Sequence, residues 1–406
     1  MKFRKMGSLG WDVSALGFGC MRLPPRRINR LRAETNESIK IIRHGIDLGI
    51  NYLDSAWVYH LGDSEKIIGL ALKDGYRERV KIATKLPTFL VRNSGDFDQY
   101  LKTSLERLQT NYIDIYMFHN LEQGSFEKVK KLGLMDKMLE AKGKGLIHHI
   151  GFSFHDTLPV FKEVIDYYPW DMAQIQYNYM DTGVQATTDG LEYAHSKGIA
   201  VVVMEPLKGG RLANPPREAQ EILKAYGINR TPVDWALQFL WNKPEVSTVL
   251  SGMNSEQMVD ENCASAERSG ISTLWKEDRE VISKVADIYR EKILVPCTAC
   301  NYCMPCPVGV NIPGNFALLN NMSTESSGLR RFMTKRKYGK LAKSGAQTDS
   351  TMSSGNASVC INCGKCLEKC PQRIKIPDEL KKAHEILGKN KKISDYYGKP
   401  QGMSQI

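Results

Sequence analysis

Two cysteine-rich runs constrain this 406-residue chain more than any other feature. Cysteines step by Cys-x-x-Cys through the first run and through the second up to its last step, which is Cys-x-x-x-Cys, and each run ends in Cys-Pro. The second run follows the first at an offset of 63 residues for three cysteines and 64 for the fourth, so the two form an internal repeat. Eight of the ten cysteines lie in this repeat: Cys297, Cys300, Cys303, Cys306, Cys360, Cys363, Cys366 and Cys370.

The spacing and setting of these cysteines indicate metal ligands rather than disulfides. The N-terminal stretch lacks the apolar core of a signal peptide, which favours a cytoplasmic location with reduced thiols. The second run has the spacing by which bacterial ferredoxins hold a [4Fe–4S] cluster, so the repeat predicts two clusters. Zinc is the alternative, because Cys-x-x-Cys pairs also build zinc ribbons. The repeat and the two Cys-Pro endings favour clusters.

The repeat also predicts how the cysteines are shared. In two-cluster ferredoxins, the fourth cysteine of each run ligates the cluster of the other run. The first run is one residue shorter before its last cysteine, so this crossing is a hypothesis here. It assigns one cluster to Cys297, Cys300, Cys303 and Cys370, and the other to Cys360, Cys363, Cys366 and Cys306.

The formal net charge of +11 belongs to the cysteine-rich part of the chain. Residues 1–291 hold 38 basic and 38 acidic side chains, whereas residues 292–406 hold 18 and 7. One interpretation is a solvated face that balances the negative clusters. The other is a docking surface for an acidic redox partner, such as a ferredoxin or a flavodoxin. Nucleic-acid binding is not expected without a stacking or groove-reading motif, and no apolar run is long enough to predict a membrane span.

Short apolar runs alternate with helical patterns before the cysteines. Eight strands with intervening helices predict a (β/α)₈ TIM barrel. A doubly wound Rossmann sheet is the alternative, but no G-x-G-x-x-G opens a helix after a strand. The predicted strands are Ser14–Gly19, Asn51–Asp54, Val80–Lys85, Tyr112–His119, Ile147–Ser153, Met172–Tyr177, Ile199–Met204 and Val246–Ser251.

Apolar spacing of three and four residues predicts helices, including a single one over Phe126–Ala141. We divide the chain into a barrel at 1–291, a small α-rich ferredoxin-like two-cluster domain at 292–380, and a tail at 381–406. Within the cluster domain, a basic helical insert is predicted over Leu329–Lys343, followed by a mobile Gly/Ser/Thr-rich loop over Ser344–Ser358.

Four polar residues fall at or just after consecutive strand ends of the predicted barrel. Asp54, Lys85 and His119 end their strands, and Tyr59 lies in the loop after Asp54. Functional residues of such barrels lie at this rim, where the four would meet. A lysine ammonium lowers the pKa of a nearby phenol, so Tyr59 would serve as general acid for carbonyl reduction. Asp54 would orient the lysine, and His119 would hydrogen-bond the substrate oxygen.

The motifs around these residues resemble a known family. The N-terminal region reads MGSLGWDVSALGFGCMRL, and the segment from Asp54 reads DSAWVY. On these motifs, the chain from about Met6 to Asn262 resembles the aldo-keto reductase family, and the cysteine repeat resembles its ferredoxin-fused branch. The resemblance implies a catalytic tetrad of Asp54, Tyr59, Lys85 and His119.

The same resemblance implies a nicotinamide site. Ser153 and Gln174 would bind the carboxamide. The loop from Leu207 to Arg211 and the stretch from Ser251 to Asn262 would hold the pyrophosphate and adenosine. Within that stretch, Gly252 takes the position of a phosphate-binding residue, and Glu261 and Asn262 match the acid–amide pair near the adenine.

Departures from the family pattern weaken this site. The usual Ser-Asn pair is Ser153-Phe154, and Met204 replaces the aromatic residue that stacks on nicotinamide. The cations that bind a 2′-phosphate fall at Gly252 and Met258. Without these cations the negative charge of a 2′-phosphate would be poorly compensated. We therefore expect NADH rather than NADPH, or weak nicotinamide binding altogether.

Three functions remain open on the sequence. The first is an iron–sulfur oxidoreductase of aldo-keto reductase type, which reduces a carbonyl or oxidises an alcohol with electrons exchanged through NAD(P)H, the two clusters, or both. Because hydride transfer moves two electrons and each cluster one, a flavin on a partner is an expected intermediary. The second is an electron-transfer or adaptor protein on a degenerate barrel. The third is a reductase whose clusters only stabilise their domain.

Overall fold

The computed structural model describes residues 1–27, 29, 31–324, 328–343 and 355–398. Residues 344–354 of the predicted mobile loop lie outside these residues. Its last four residues are described, and here the prediction of a mobile loop is wrong, because Gly355 pairs with Val310 and Asn356 and Ala357 are buried. Contacts divide the chain into two compact units: a first unit of Met1–Leu207 and Val233–Glu277, and a second unit of Lys208–Pro232 and Asp278–Ile406. Residues 208–232 and 278–291, which the sequence assigns to the barrel, fall in the second unit.

The first unit is a closed barrel of eight parallel strands, preceded by a short antiparallel hairpin. Barrel strands pair in chain order, and the last pairs with the first, which confirms the predicted TIM barrel and excludes the doubly wound sheet. The hairpin is β1 (Phe3–Lys5) and β2 (Asp12–Ser14). The barrel is β3 (Leu16–Gly19), β4 (Tyr52–Asp54), β5 (Lys81–Leu86), β6 (Ile113–Leu121), β7 (Ile147–Phe154), β8 (Met172–Gln176), β9 (Ala200–Met204) and β10 (Val246–Ser251).

Successive side chains along each strand point to opposite faces and so form two apolar layers in the first unit. Side chains such as Tyr52, Met117 and Val202 pack in one cluster with the hairpin residues Met6 and Val13. Their strand neighbours pack in a second cluster with the helices. Strands covered on both faces are largely apolar, which is why polar side chains at their carboxyl ends stand out in the sequence.

Helices follow the strands as the spacing of apolar residues predicts, with one correction. The single helix predicted over Phe126–Ala141 is wrong, because Gly133 adopts φ +60° and ends one helix before the next begins. No described α-helix is long and apolar enough to cross a membrane. In chain order the α-helices are α1 (Thr35–Asp47), α2 (Asp63–Ala71), α3 (Asp96–Leu108), α4 (Gln123–Lys131), α5 (Leu134–Gly143), α6 (Leu158–Tyr167), α7 (Thr187–Ser196), α8 (Arg217–Ala225), α9 (Pro232–Trp241), α10 (Glu256–Glu267), α11 (Lys276–Lys292), α12 (Ile312–Thr324), α13 (Gly328–Lys343), α14 (Ile376–Leu387) and α15 (Ser394–Tyr397).

Helices α12 and α14 form the core of the second unit. Phe316 and Leu319 of α12 pack with Leu380 of α14, and several of the repeat cysteines line the same core. The basic insert is helical as predicted, and α13 joins this core through its buried Tyr338, whose hydroxyl lies 2.9 Å from Nδ1 of His384. The cysteine runs themselves are irregular loops, one before α12 and the other before α14.

Candidate active site and cluster sites

A buried ion pair lies at the carboxyl ends of β4 and β5. Lys85 Nζ donates to both carboxylate oxygens of Asp54, at 2.8 and 2.7 Å, and to the backbone oxygen of Ser55 at 2.6 Å. The Lys85 side chain is fully buried, and that of Asp54 is 4% exposed. Burial raises the pKa of Asp54 and lowers that of Lys85, and the charge of each opposes the shift of the other.

Tyr59 and His119 lie against this pair. Tyr59 opens a short 3₁₀ helix, Tyr59–Gly62, in which His60 and Leu61 take positive φ values. Lys85 Nζ is 5.0 Å from the centroid of the Tyr59 ring, and the rings of Tyr59 and His119 contact edge to face at 5.9 Å. The structure thus brings together all four residues that the sequence predicts as a tetrad.

The electrostatic environment keeps the His119 imidazole neutral. Burial and then the positive charge of Lys85 hold its pKa well below the usual value. A neutral imidazole both donates and accepts hydrogen bonds. His119 can therefore donate to a carbonyl oxygen without itself carrying charge at neutral pH.

Ser153 and Gln174 are neighbours on adjacent strands. They are paired in the register of β7 and β8, and both are buried. Ser153 Oγ accepts a hydrogen bond from the backbone N–H of Asn120 at 2.9 Å, and the Gln174 side chain hydrogen-bonds to Asp54. Gln174 thereby connects the predicted carboxamide site to the ion pair.

The stretch after β10 forms the start of α10. Ser255 caps this helix by accepting from the backbone N–H of Met258. Asn262 is buried and donates from Nδ2 to Ser251 Oγ at 3.1 Å, whereas Glu261 lies on the exposed face. Met258 is 43% exposed, so its surface is open to solvent.

Arg22 is a residue that the sequence reasoning missed. It ends the 3₁₀ turn after β3, and a Cβ placed on Gly252 would lie 2.9 Å from the Arg22 side chain. The aliphatic stem of Arg22 therefore lies against Gly252, the position at which the family pattern has a cation. Only the contact reveals this, because the two residues are far apart in the sequence.

The loop after Leu207 contacts the first cysteine run. In the second unit, Arg211 donates from Nη1 to the backbone oxygen of Val295 at 3.0 Å, and Tyr289 donates its hydroxyl to the Arg211 backbone oxygen at 2.8 Å. Gly209 has φ +68°, and a Cβ there would lie 2.2 Å from the backbone oxygen of Thr298. Residues 208–211, predicted to hold pyrophosphate, are thus packed next to Cys297.

Gly209→Ala is expected to loosen this packing. The substitution combines a left-handed backbone with a collision against Thr298, which together should cost about 2–4 kcal/mol. Gly210→Ala is the matched control, because Gly210 has φ +90° but no atom within 4 Å of its Cβ position. Hydrogen exchange of residues 208–232 should rise far more in Gly209→Ala. Equal exchange in the two variants would contradict the contact.

The eight repeat cysteines surround two cavities. One is lined by Cys297, Cys300, Cys303 and Cys370. The other is lined by Cys303, Cys306, Cys360, Cys363 and Cys366. Among the described residues, no three side chains converge as the ligands of a single metal ion would.

The cysteines that line the first cavity (the first group) and those that line the second (the second group) differ in burial. Burial raises the pKa of the Cys303 thiol well above its usual value, and the nearby Cys300, Cys297 and Cys370 raise it further. Burial raises the pKa of Cys366 to about 11, with contributions from Cys360, Cys306 and Cys363. Cys363 is the one repeat cysteine with an exposed side chain in the part of the chain that the structure describes. The second group therefore lies nearer to solvent.

Comparisons with known proteins agree with this architecture. Residues 15–273 match the aldo/keto reductase family, and residues 296–375 match the 4Fe-4S dicluster domain. L-galactose dehydrogenase of Arabidopsis thaliana is 30% identical over 312 residues, which cover 71% of this chain and 94% of that protein. An uncharacterized oxidoreductase of Bacillus subtilis is 27% identical and covers 66% and 91% of the two chains.

Solved structures show the same likeness. An aldo-keto reductase from Bacillus halodurans in its holo form superposes with a TM-score of 0.59 at 28% identity, covering 70% of this chain and 96% of that one. An aldo/keto reductase from Klebsiella pneumoniae, in complex with NADP and acetate, has a TM-score of 0.56 at 22% identity over 70% and 95%, and shares the fold. This chain belongs to the aldo/keto reductase family of oxidoreductases, and a 4Fe–4S dicluster domain follows its barrel.

Proposed function

We propose that this chain interconverts a small carbonyl and its alcohol, with Tyr59 as the proton donor and acceptor. The observation that carries this proposal is the fully buried Lys85, held by Asp54 and lying 5.0 Å from the Tyr59 ring centroid. A cation at this position stabilises a phenolate and so lowers the cost of proton transfer from Tyr59. The edge contact of His119 with Tyr59 completes a donor pair for one substrate oxygen.

Each residue of the tetrad has a separate role in the carbonyl reduction. A nicotinamide, when bound, supplies the hydride. Asp54 keeps Lys85 charged and in place, and Tyr59 gives its phenolic proton to the oxygen that develops negative charge. Neutral His119 donates a hydrogen bond to the same oxygen and orients the carbonyl. Burial of the group excludes water from the proton path.

Ser153 and Gln174 support a nicotinamide carboxamide site, since both are buried and lie side by side on adjacent strands. Glu261 and Asn262 are proposed for the adenosine, Leu207 for the pyrophosphate, and Gly252 for close approach of a phosphate. Absence of a cation at Gly252 and Met258 favours NADH, although Arg22 lies over Gly252.

Titration of the cluster-loaded protein with each cofactor tests this preference. NADH is expected to bind at least about tenfold more tightly than NADPH, because a 2′-phosphate without a paired cation is poorly compensated. Nicotinamide fluorescence measures both affinities. Arg22→Met is the control: tighter binding of NADPH by the wild type, lost in this variant, would assign Arg22 to the phosphate and overturn the NADH proposal.

We propose two [4Fe–4S] clusters with crossed ligands. The four thiols that line one cavity are those assigned to the first cluster, and the second cavity collects the other four together with Cys303. A set of four thiols suits both iron–sulfur clusters and zinc, and the iron content distinguishes the two. Anaerobic preparations should contain about eight iron atoms per chain.

Cysteine substitution tests the assignment. Cys303→Ser should lose about half of the iron, whereas the matched Cys263→Ser, outside the repeat, should retain all of it. Iron and zinc analysis with absorbance spectra measures both. About two zinc atoms and no brown colour would overturn the cluster proposal.

An acidic redox partner is the proposed source or sink of single electrons. The segment 329–343 holds seven basic and no acidic residues, and Cys363 of the second group is exposed. Because a cluster moves one electron and nicotinamide two, a flavin on the partner, as in a flavodoxin, would bridge the two. We place this chemistry in the cytoplasm, where thiolate ligands stay reduced.

Neutralising exposed cations of α13 tests the partner. A variant with Arg336, Lys337 and Lys340 changed to Gln should bind an acidic flavodoxin several-fold more weakly at low salt, and added salt should erase the difference. Lys66, Lys73 and Lys276 changed to Gln provide a control of equal charge on the first unit. Equal affinities for the two variants would contradict docking on this helix.

A second candidate function is an electron-transfer or adaptor protein on a catalytically degenerate barrel. The observation that favours it is the altered nicotinamide site, with Phe154 and Met204 at positions where the family pattern has an amide and an aromatic ring. Absence of any carbonyl turnover by cluster-loaded protein would support this alternative.

A further inference from the structure

The short turn that carries Tyr59 has an unfavourable backbone. His60 and Leu61, the two residues that follow Tyr59, have φ values of 52° and 56°. Residues with a side chain rarely adopt such values, so contacts with the rest of the molecule must hold the turn. The hydrogen bond from the Tyr59 N–H to the backbone oxygen of Ala56 lies within the turn and does not fix its distance from Lys85.

Arg107 of α3 contacts this turn at both ends. Its Nη1 donates to the backbone oxygen of Trp57 at 2.9 Å, and its Cζ lies 4.4 Å from the centroid of the Trp57 ring. At the other end, a Cβ placed on Gly62 would lie 2.7 Å from Arg107 Cζ, so the guanidinium packs directly against the backbone. Tyr59 lies between these two contacts in the chain.

Glu65 connects Arg107 to the strand that carries Lys85. Arg107 Nη1 donates to Glu65 Oε2 at 3.2 Å, and Glu65 Oε1 accepts from Thr84 Oγ1 at 2.8 Å. Thr84 precedes Lys85 on β5. The Glu65 side chain is fully buried and that of Arg107 is 17% exposed, so these charge-assisted hydrogen bonds face little competition from water.

We propose that Arg107 is a positioning residue, which together with Glu65 sets the distance of the Tyr59 phenol from Lys85. This inference rests on the proposed function, because that function assigns proton transfer to Tyr59. Arg107 acts through the turn and has no assigned contact with the substrate. A misplacement of about 1 Å can cost about a hundredfold in rate, so a turn without this support should lower turnover rather than substrate affinity.

A double variant tests the proposal without leaving an uncompensated buried charge. In Arg107→Met with Glu65→Gln, both charges are removed, and the new amide oxygen can still accept from Thr84. The cluster-loaded variant should lose about tenfold or more in kcat, with KM within about twofold of the wild type. Arg107→Lys keeps a cation that can still donate to the Trp57 oxygen, and its kcat should be intermediate.

Arg77→Met with Asp114→Asn is the matched control. Arg77 is 15% exposed, pairs with the buried Asp114 at 2.8 Å, and lies 4.3 Å from the ring centroid of Tyr112. This pair lies at the amino ends of β5 and β6, whereas the tetrad lies at the carboxyl ends. Its loss should lower the unfolding temperature by a similar amount and leave kcat within about twofold. Equal losses of kcat in the two double variants would overturn the proposal.

A titration gives a second readout without turnover. The Tyr59 ring contacts the Lys85 ammonium and the neutral His119, and a nearby cation favours the phenolate. If the turn moves, the Cζ resonance of Tyr59, identified by its loss in Tyr59→Phe, should titrate at a higher pH in Arg107→Met with Glu65→Gln, but not in the control. An unchanged titration would contradict the proposal. If the wild type turns over no carbonyl, the proposed function fails, and this titration still decides the role of Arg107.

Discussion

Replacing Tyr59 with Phe is expected to lower kcat/KM for carbonyl reduction by about a thousandfold, in the range usual for loss of a general acid. The change removes only the phenolic oxygen, and the ring that Lys85 and His119 contact remains. Both folding and cofactor binding should therefore survive. Steady-state rates on a panel of carbonyls with NADH, measured anaerobically, give the result.

Tyr76→Phe is the matched control for this variant. Its hydroxyl donates to Asp47 at 3.0 Å on the exposed surface of the barrel, so its loss should leave turnover within about twofold. If Tyr59→Phe also kept its rate within a few-fold, Tyr59 would not be the proton donor. The tetrad would then be a structural ion pair with two aromatic neighbours.

Replacing Lys85 with Met is expected to destabilise the first unit by about 3–5 kcal/mol, because it leaves Asp54 buried without its cation. Unfolding can be followed by tryptophan fluorescence, since all six tryptophans lie in the first unit. Lys40→Met is the matched control. Lys40 pairs with Glu256 at 3.1 Å on the surface, and its loss should cost less than about 1 kcal/mol.

The double variant Asp54→Leu with Lys85→Met separates charge from packing. Removing both charges should recover much of the stability that the single change loses, because no uncompensated ion remains. Turnover should stay lost in both. A double variant no more stable than Lys85→Met would indicate that packing, rather than the buried charge, dominates the cost.

The barrel was predictable because its strands are short and buried on both faces. Each of the eight predicted strands overlaps an observed one. The errors concern where strands end and where one predicted helix is interrupted. Ser14 belongs to the hairpin strand β2, and Gly133 divides one predicted helix into two. Both errors arise where a backbone turn is set by contacts or by a positive φ rather than by apolar spacing.

The tetrad residues could be located from the sequence because strand ends meet at one rim of a barrel. Contacts between distant segments could not be found in the same way. The approach of Arg22 to Gly252 and the packing of Gly209 on Thr298 both depend on tertiary folding. Composition carries no signal for such pairs.

Transfer of deuterium from C4-deuterated NADH to the product alcohol tests the central claim most directly. The cluster-loaded protein would be incubated anaerobically with a carbonyl and with each of the two C4-deuterated forms of NADH, and the alcohol analysed by mass spectrometry. We predict deuterium on the carbinol carbon from one of the two forms, and almost no labelled product with Tyr59→Phe. Alcohol formed without deuterium from either form, or labelled equally by Tyr59→Phe, would contradict hydride transfer assisted by this tetrad.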